Sequence, residues 1–119
     1  MIRPIEGLAG NAIGFEAVGI VTADDYRTTI EPAMAATIAA HDEFRLVYIL
    51  GDEFEGFTGG AVWADAKESK HITKAKRTAL VTDHPVYRDG FTAFAWLMPG
   101  EAKAFALAET EEAKLWVSE

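Results

Sequence analysis

The chain has no cysteine, which removes disulfides, thiolate metal ligands and cysteine nucleophiles together and suits a reducing compartment. Serine is almost as scarce. Only Ser69 and Ser118 occur, and neither stands in a G-x-S-x-G elbow, which argues against a serine hydrolase. No apolar run approaches the roughly 20 residues that a membrane-spanning helix needs. The opening Met1-Ile2-Arg3-Pro4-Ile5-Glu6 has no long apolar stretch behind its charge, so it does not read as a secretory signal, and a cytoplasmic location is expected. Cations are also in short supply. Eleven Lys and Arg face nineteen Asp and Glu, and the resulting charge of −8 would repel phosphates, which argues against nucleic acid as a partner.

What remains is an ordinary globular composition. The 119 residues are 50% hydrophobic and 25% charged, enough apolar material for one core and one domain spanning 1–119. The scarce cations are concentrated. Lys67, Lys70, Lys74, Lys76 and Arg77 share an eleven-residue stretch with a single anion, Glu68. Lys67, Lys70, His71 and Lys74 follow i, i+3, i+4, i+7 spacing and fall on one helical face. Such a stripe is either a solvated face complementing its own helix dipole or a patch for an anionic group or acidic partner.

Residues 2–8 and 12–21 read as two strands joined near Ala9-Gly10-Asn11, a turn whose residues tolerate positive φ. Ile13, Phe15 and Ala17 share one face of the second strand and Val18 and Ile20 the other, which places it inside the sheet. Thr22 and Asp25 form a capping-box signature ahead of a helix with Tyr26, Ile30, Met34 and Ile38 on its buried stripe, ending near Ala40. Pro32 deletes the bond to the Thr28 carbonyl and should kink or restart that helix.

Phe44 to Leu50 is a nearly continuous apolar run, the pattern of a central parallel strand, and 51–60 reads as the loop after it. A second helix is expected from about Gly60 to Thr73 with Thr58 as its N-cap, then a strand over 78–82 and a third helix over 86–98 that stops at Pro99-Gly100. A last strand at 102–107 and a helix at 110–117, capped by Thr110, complete the chain. The order ββαβαβαβα predicts an α/β fold: a mixed, mostly parallel five-stranded sheet with an N-terminal β-hairpin and four helices.

Ligands in such sheets collect beyond the carboxyl ends of the strands, where Asp52, Asp83 and His84 are expected. These three could serve acid–base or metal chemistry if they converge, but as turn and cap residues they need no function. His41 and His71 have no metal-ligand spacing, and the glycines at 51, 56, 59 and 60 match no phosphate-binding loop. No metal or cofactor is expected. The aromatic residues say more. Phe54 and Phe57 lie in the acidic loop and Trp63 early in the next helix. In the third helix, Phe91, Phe94 and Met98 form one stripe while Trp96 points about 140° away from Phe91 at roughly 100° per residue. Either these rings pack under a neighbouring element or in a dimer interface, or the helix is a flap over an apolar cavity.

Four strings carry a family resemblance: Met1-Ile-Arg-Pro-Ile-Glu-Gly7, Ile13-Gly-Phe-Glu-Ala-Val-Gly19, Leu50-Gly-Asp-Glu-Phe-Glu-Gly-Phe57 and Phe94-Ala-Trp-Leu-Met-Pro-Gly-Glu101. Together and in this order they resemble the SpoIIAA-like family of small bacterial proteins, whose fold is similar to STAS and CRAL-TRIO domains. Anti-sigma-antagonist STAS proteins are switched by phosphorylation of a serine in a D-S-x-G-like motif. The corresponding segment here, 57–63, has no serine, and Thr58 stands roughly in its place. The CRAL-TRIO likeness implies instead a non-enzymatic carrier of a small hydrophobic or lipid-like molecule, with transient membrane contact. On that reading Phe54, Phe57, Trp63, Phe91, Phe94 and Trp96 form the apolar contacts, and Lys67, Lys70 and Lys74 attract an anionic group or a partner. The alternative is a regulatory protein–protein interaction module with Thr58 as its regulatory residue. Homodimerisation fits either reading.

Overall fold

The structure, a computed structural model, describes residues 1–5, 8, 12–57, 74–95 and 100–119, with the side chain of Phe94 outside that set. Its strands are β1 (Ile2–Ile5), β2 (Ala12–Val21), β3 (Phe44–Phe57), β4 (Ala75–Thr82) and β5 (Glu101–Phe105). Three helical segments lie among the described residues. The first, α1, joins Ala23–Asp25, a π-helical stretch Tyr26–Ile30 and Glu31–His41; the others are α2 (Pro85–Ala95) and α3 (Thr110–Ser118). The helix expected over 60–73 lies outside the described residues, as does the turn at 9–11.

The five strands form one sheet in spatial order β1-β2-β3-β4-β5. β1 pairs antiparallel with β2, and every other neighbouring pair is parallel. Alternation along β3 shows how the sheet is buried on both faces. Phe44 and Leu50 join Tyr26, Ile30, Met34 and Phe91 on the face covered by α1 and α2. Val47 and Ile49 point the other way and join Ala113 and Val117 of α3. Val21, Val47, Val81 and Val117 are fully buried. Large-to-small changes there would leave voids that the packed sheet cannot close.

The first helix starts as its residues require. The Thr22 hydroxyl accepts from the Asp25 N–H at 3.2 Å, and the Asp25 carboxylate accepts from the Thr22 N–H at 3.0 Å. That reciprocal bond draws the Asp25 carboxyl below its ordinary value near 3.8, helped by the nearby α-amino group and opposed by partial burial. Burial, with the Asp25 charge second, pushes the Tyr48 phenol well above 10. Pro32 restarts the helix. The Glu31 N–H reaches back to the Tyr26 carbonyl, a five-residue step, so Pro32 falls in the first turn of the following α-helix, where its missing N–H costs nothing. Asp42 ends the helix in the left-handed region at φ 61°, its N–H on the Ile38 carbonyl at 2.7 Å.

Two expectations need correction. Residues 51–57 are strand, not loop. β2 continues to Val21, and Gly19, Ile20 and Val21 pair with Phe54, Gly56 and Phe57. Between Ala17 and Gly19 the partner strand advances from Leu50 to Phe54, so β3 carries extra residues and bulges outward. Gly19 at φ +65° and Gly56 at φ +140° supply the backbone angles this needs. Thr110 does not cap α3. Its hydroxyl donates to the Leu107 carbonyl at 2.6 Å, while the Glu109 carboxylate accepts from the Ala106 N–H at 2.9 Å and shapes the turn before the helix.

Candidate functional site

The parallel β3–β4 pairing ends at Leu50 and Thr82, and a cleft of about 320 Å³ opens at that rim. Leu50 and Thr82, opposite one another in register, form its base. Phe54, Pro85 and Leu107 supply apolar walls, and Asp52, Asp83 and His84 supply the polar groups. The three residues singled out at the strand ends therefore do converge on one cleft.

Their chemistry is already partly committed. Asp83 accepts the Leu107 N–H through Oδ1 at 2.9 Å, tying the turn after β5 to the end of β4. The His84 N–H donates to the Thr82 hydroxyl at 3.0 Å, and its ring lies edge-on to Tyr87 with centroids 4.8 Å apart. Among the described residues no group of three His, Asp or Glu side chains is placed to hold a metal ion.

Beside the cleft lies an aromatic cluster. Phe54 and Phe57 are 5.0 Å apart at their centroids, and Tyr87 meets them edge-on at 5.3 and 5.5 Å. Tilted and edge-on pairs at these separations are the favoured arrangements of the ring quadrupoles. One helical turn beyond Tyr87, Phe91 is 7% exposed and belongs to the core between α2 and the sheet. Tyr87 had escaped notice in the sequence, although its i−4 spacing from Phe91 marks the same helical stripe.

Of the residues expected to contact a ligand, Phe54 and Phe57 are thus in mutual contact at the rim and Phe91 lies in the core behind them. Trp63 and Trp96 lie outside the described residues, as does the side chain of Phe94. So do Thr58, Lys67 and Lys70. Lys74 precedes the first residue of β4 and pairs with Asp42 at 3.1 Å. The eight residues of β4 separate Lys74 from the cleft by about 25 Å at roughly 3.3 Å per residue. The structure does not bring Lys74 to the aromatic cluster. Exposed apolar side chains do flank that cluster: Ile20, opposite Gly56 in the β2–β3 register, is 55% exposed, and Val86, beside Tyr87, is 69% exposed.

Residues 12–118 match the family model described as SpoIIAA-like. No curated protein matches the chain. Among solved structures it is similar to an uncharacterised protein of the DUF3478 family from Shewanella loihica PV-4, described as having a SpoIIAA-like fold. That likeness has a TM-score of 0.74 and 24% identity, and covers 98% of this chain and 92% of the other. It is also similar to the anti-sigma factor antagonist SpoIIAA in its unphosphorylated form, with a TM-score of 0.61, 14% identity and 98% coverage of both chains. At these identities the likeness to the two structures is one of fold.

Proposed function

The chain belongs to the SpoIIAA-like family, and from that premise we propose that it is a non-enzymatic regulatory module that binds a partner protein through the carboxyl rim of its sheet. The packing of α2 carries this reading. Phe91 fills the space between that helix and the sheet, and Phe54, Phe57 and Tyr87 pack on one another at its first turn. A helix pinned by a core phenylalanine is a poor lid, because lifting it would expose that ring to water at a cost of about 2–3 kcal/mol. An apolar side chain of the same helix, Val86, faces outward instead at 69% exposure, as suits an association surface. The fold likeness to an anti-sigma factor antagonist supports a regulatory role.

The test is to purify the tagged protein from its host and rebuild any recovered complex from purified components, measuring its mass by light scattering. A complex of defined stoichiometry is expected. Components that elute separately under all conditions would refute the reading.

One observation favours a second reading, uptake of a small hydrophobic molecule. The volume of the cleft lies at the lower end of the range for small-ligand sites, and Leu50, Phe54 and Leu107 give it apolar walls. Mass spectrometry of lipids extracted from the purified protein tests it. A bound species in near-equimolar amount would establish uptake, and its absence would remove it.

A further inference from the structure

Charge is sorted along the strands. At the amino ends of β3 and β4, cations meet acids: Lys74 pairs with Asp42 at 3.1 Å, Lys76 with Glu43 at 3.9 Å, and Arg77 with Glu101 and Glu119 at 3.8 and 3.7 Å. At the carboxyl ends the balance is different. The bulge at the end of β3 exposes Asp52, Glu53 and Glu55, and Asp83 is exposed at the end of β4. Glu53 lies 3.8 Å from Arg3, but among the described residues no cation pairs with Asp52 or Glu55. On the neighbouring helix, Arg88 is half-buried and is followed by the acid Asp89.

The apolar cleft opens inside that rim, and Ile20 and Val86 flank the cluster beside it. We infer that the cleft between the end of β3 and the start of α2 is the docking site for a positively charged segment of a partner protein that inserts one apolar side chain against Phe54 and Leu107. The inference rests on the interaction-module reading and adds to it a location and a partner chemistry. The apolar side chain supplies the anchoring energy, since burial of a single Leu or Phe suffices for a hot spot. The rim acids select the sign of the partner and accelerate its approach. A lipid-like guest would make no use of the exposed carboxylates of Asp52 and Glu55, and an acidic partner would be repelled by them.

A short fluorescein-labelled peptide of lysines and glycines with one central phenylalanine is the probe, followed by fluorescence anisotropy and by amide shifts in a two-dimensional NMR spectrum. Binding is expected to shift the amides of Leu50–Phe57 and Asp83–Tyr87. The double variant Asp52→Asn with Glu55→Gln should keep the wild-type circular dichroism and bind the peptide about five- to tenfold more weakly, as loss of two exposed charge contacts predicts. Raising the ionic strength from about 0.05 to about 0.5 M should weaken wild-type binding further as the Debye length shrinks. Replacing the central phenylalanine by alanine should abolish the shift at Phe54.

Equal affinity for a glutamate-for-lysine peptide, unchanged affinity in the double variant, or shifts mapping to Lys74–Arg77 would each overturn the inference. So would the same shifts produced by phosphatidylcholine vesicles, or a dimer in light scattering whose dissociation by Val86→Glu reproduces them. A native complex that survives the double variant intact leaves the module reading standing and removes this site. The absence of any native complex together with specific peptide binding does the reverse.

Discussion

Two arginines hold the last helix, and replacing them one at a time should cost unequal amounts. Arg45 and Arg77 are partners in the β3–β4 region and face α3. Arg77 donates through Nη1 to the Trp116 carbonyl at 2.6 Å, and its guanidinium carbon lies 5.1 Å from the centroid of the Trp116 ring. Arg45 donates through Nη1 to the Val117 carbonyl at 3.0 Å. Both therefore bring positive charge to the carbonyl end of α3, where the helix leaves acceptors unsatisfied and the dipole is negative. For Arg77→Met we sum a charge-assisted hydrogen bond in a half-buried site, the dipole and the ring contact, and expect a loss of about 2–3 kcal/mol. The ion pairs to Glu101 and Glu119 add little, because those carboxylates are mostly exposed. Arg45→Met removes one similar bond but also removes Nε, a buried donor with no acceptor and only Glu43 at 3.8 Å. That relief should hold the loss to about 1 kcal/mol or less. Urea unfolding of the two variants reads the difference directly, and melting should show it as about 4 °C per kcal/mol for a domain of this size. If Arg45→Met cost as much as Arg77→Met, the assignment of the carbonyl clamp to Arg77 would be wrong.

Three further outcomes follow from the packing. The depressed Asp25 pKa contributes stability that is present above about pH 4 and lost as pH falls through the folded value. Asp25→Asn keeps an acceptor for the Thr22 N–H, so it should flatten that part of the acid-stability profile, while Thr22→Ala should cost about 1 kcal/mol at neutral pH and keep most of the acid dependence, since the Thr22 N–H still binds the Asp25 carboxylate. At Gly100 an added Cβ would run into the carbonyl oxygens of Ala75 and Lys76, so Gly100→Ala should destabilise the β4–β5 pairing, whereas Gly90→Ala, in open space on α2, should be neutral or stabilising. Equal melting temperatures for those two alanine variants would refute that packing argument. Phe91→Ala should cost about 3–5 kcal/mol and Phe54→Ala clearly less, because only Phe91 is closed into the core; the reverse order in urea titrations would mean that α2 is not pinned there.

Much of the fold was legible because several local signals agreed. β2 begins and ends where its two apolar faces begin and end, and Thr22 with Asp25 marks the helix start by side-chain chemistry alone. Pro32 announced a kink or a restart, though not that a π-helical stretch would accomplish the restart. The reading failed where tertiary pairing overrode local composition. Gly51 to Phe57 carries three acids and two glycines, the composition of a loop, yet the long β2 offers Gly19, Ile20 and Val21 as partners and draws the segment into the sheet. Thr110 failed as a cap for a different reason. A 3-10 turn over Leu107–Glu109 runs straight into the helix, so Thr110 already has helical backbone angles and its hydroxyl turns back to the i−3 carbonyl instead of capping. The rim cluster was half legible. Phe54 and Phe57 stood out as isolated aromatics, but nothing local in the sequence joined them to Tyr87, thirty residues further on.

The bulge is also what turns an ordinary α/β sheet into a surface with a sense of direction. Without the extra residues of β3, Asp52, Glu53 and Glu55 would have to occupy regular ladder positions, where alternation would turn some of them toward the core. The expansion opposite Gly19 and Ile20 lets the strand stay paired while those acids reach solvent and Phe54 and Phe57 turn back onto Tyr87. The same irregularity therefore produces the aromatic contact that pins α2 and the negative rim around the cleft. The two are coupled, so straightening β3 by deleting Glu53 and Glu55 should loosen the aromatic cluster and weaken the negative charge of the rim together. A substitution such as Glu55→Gln should change only the charge.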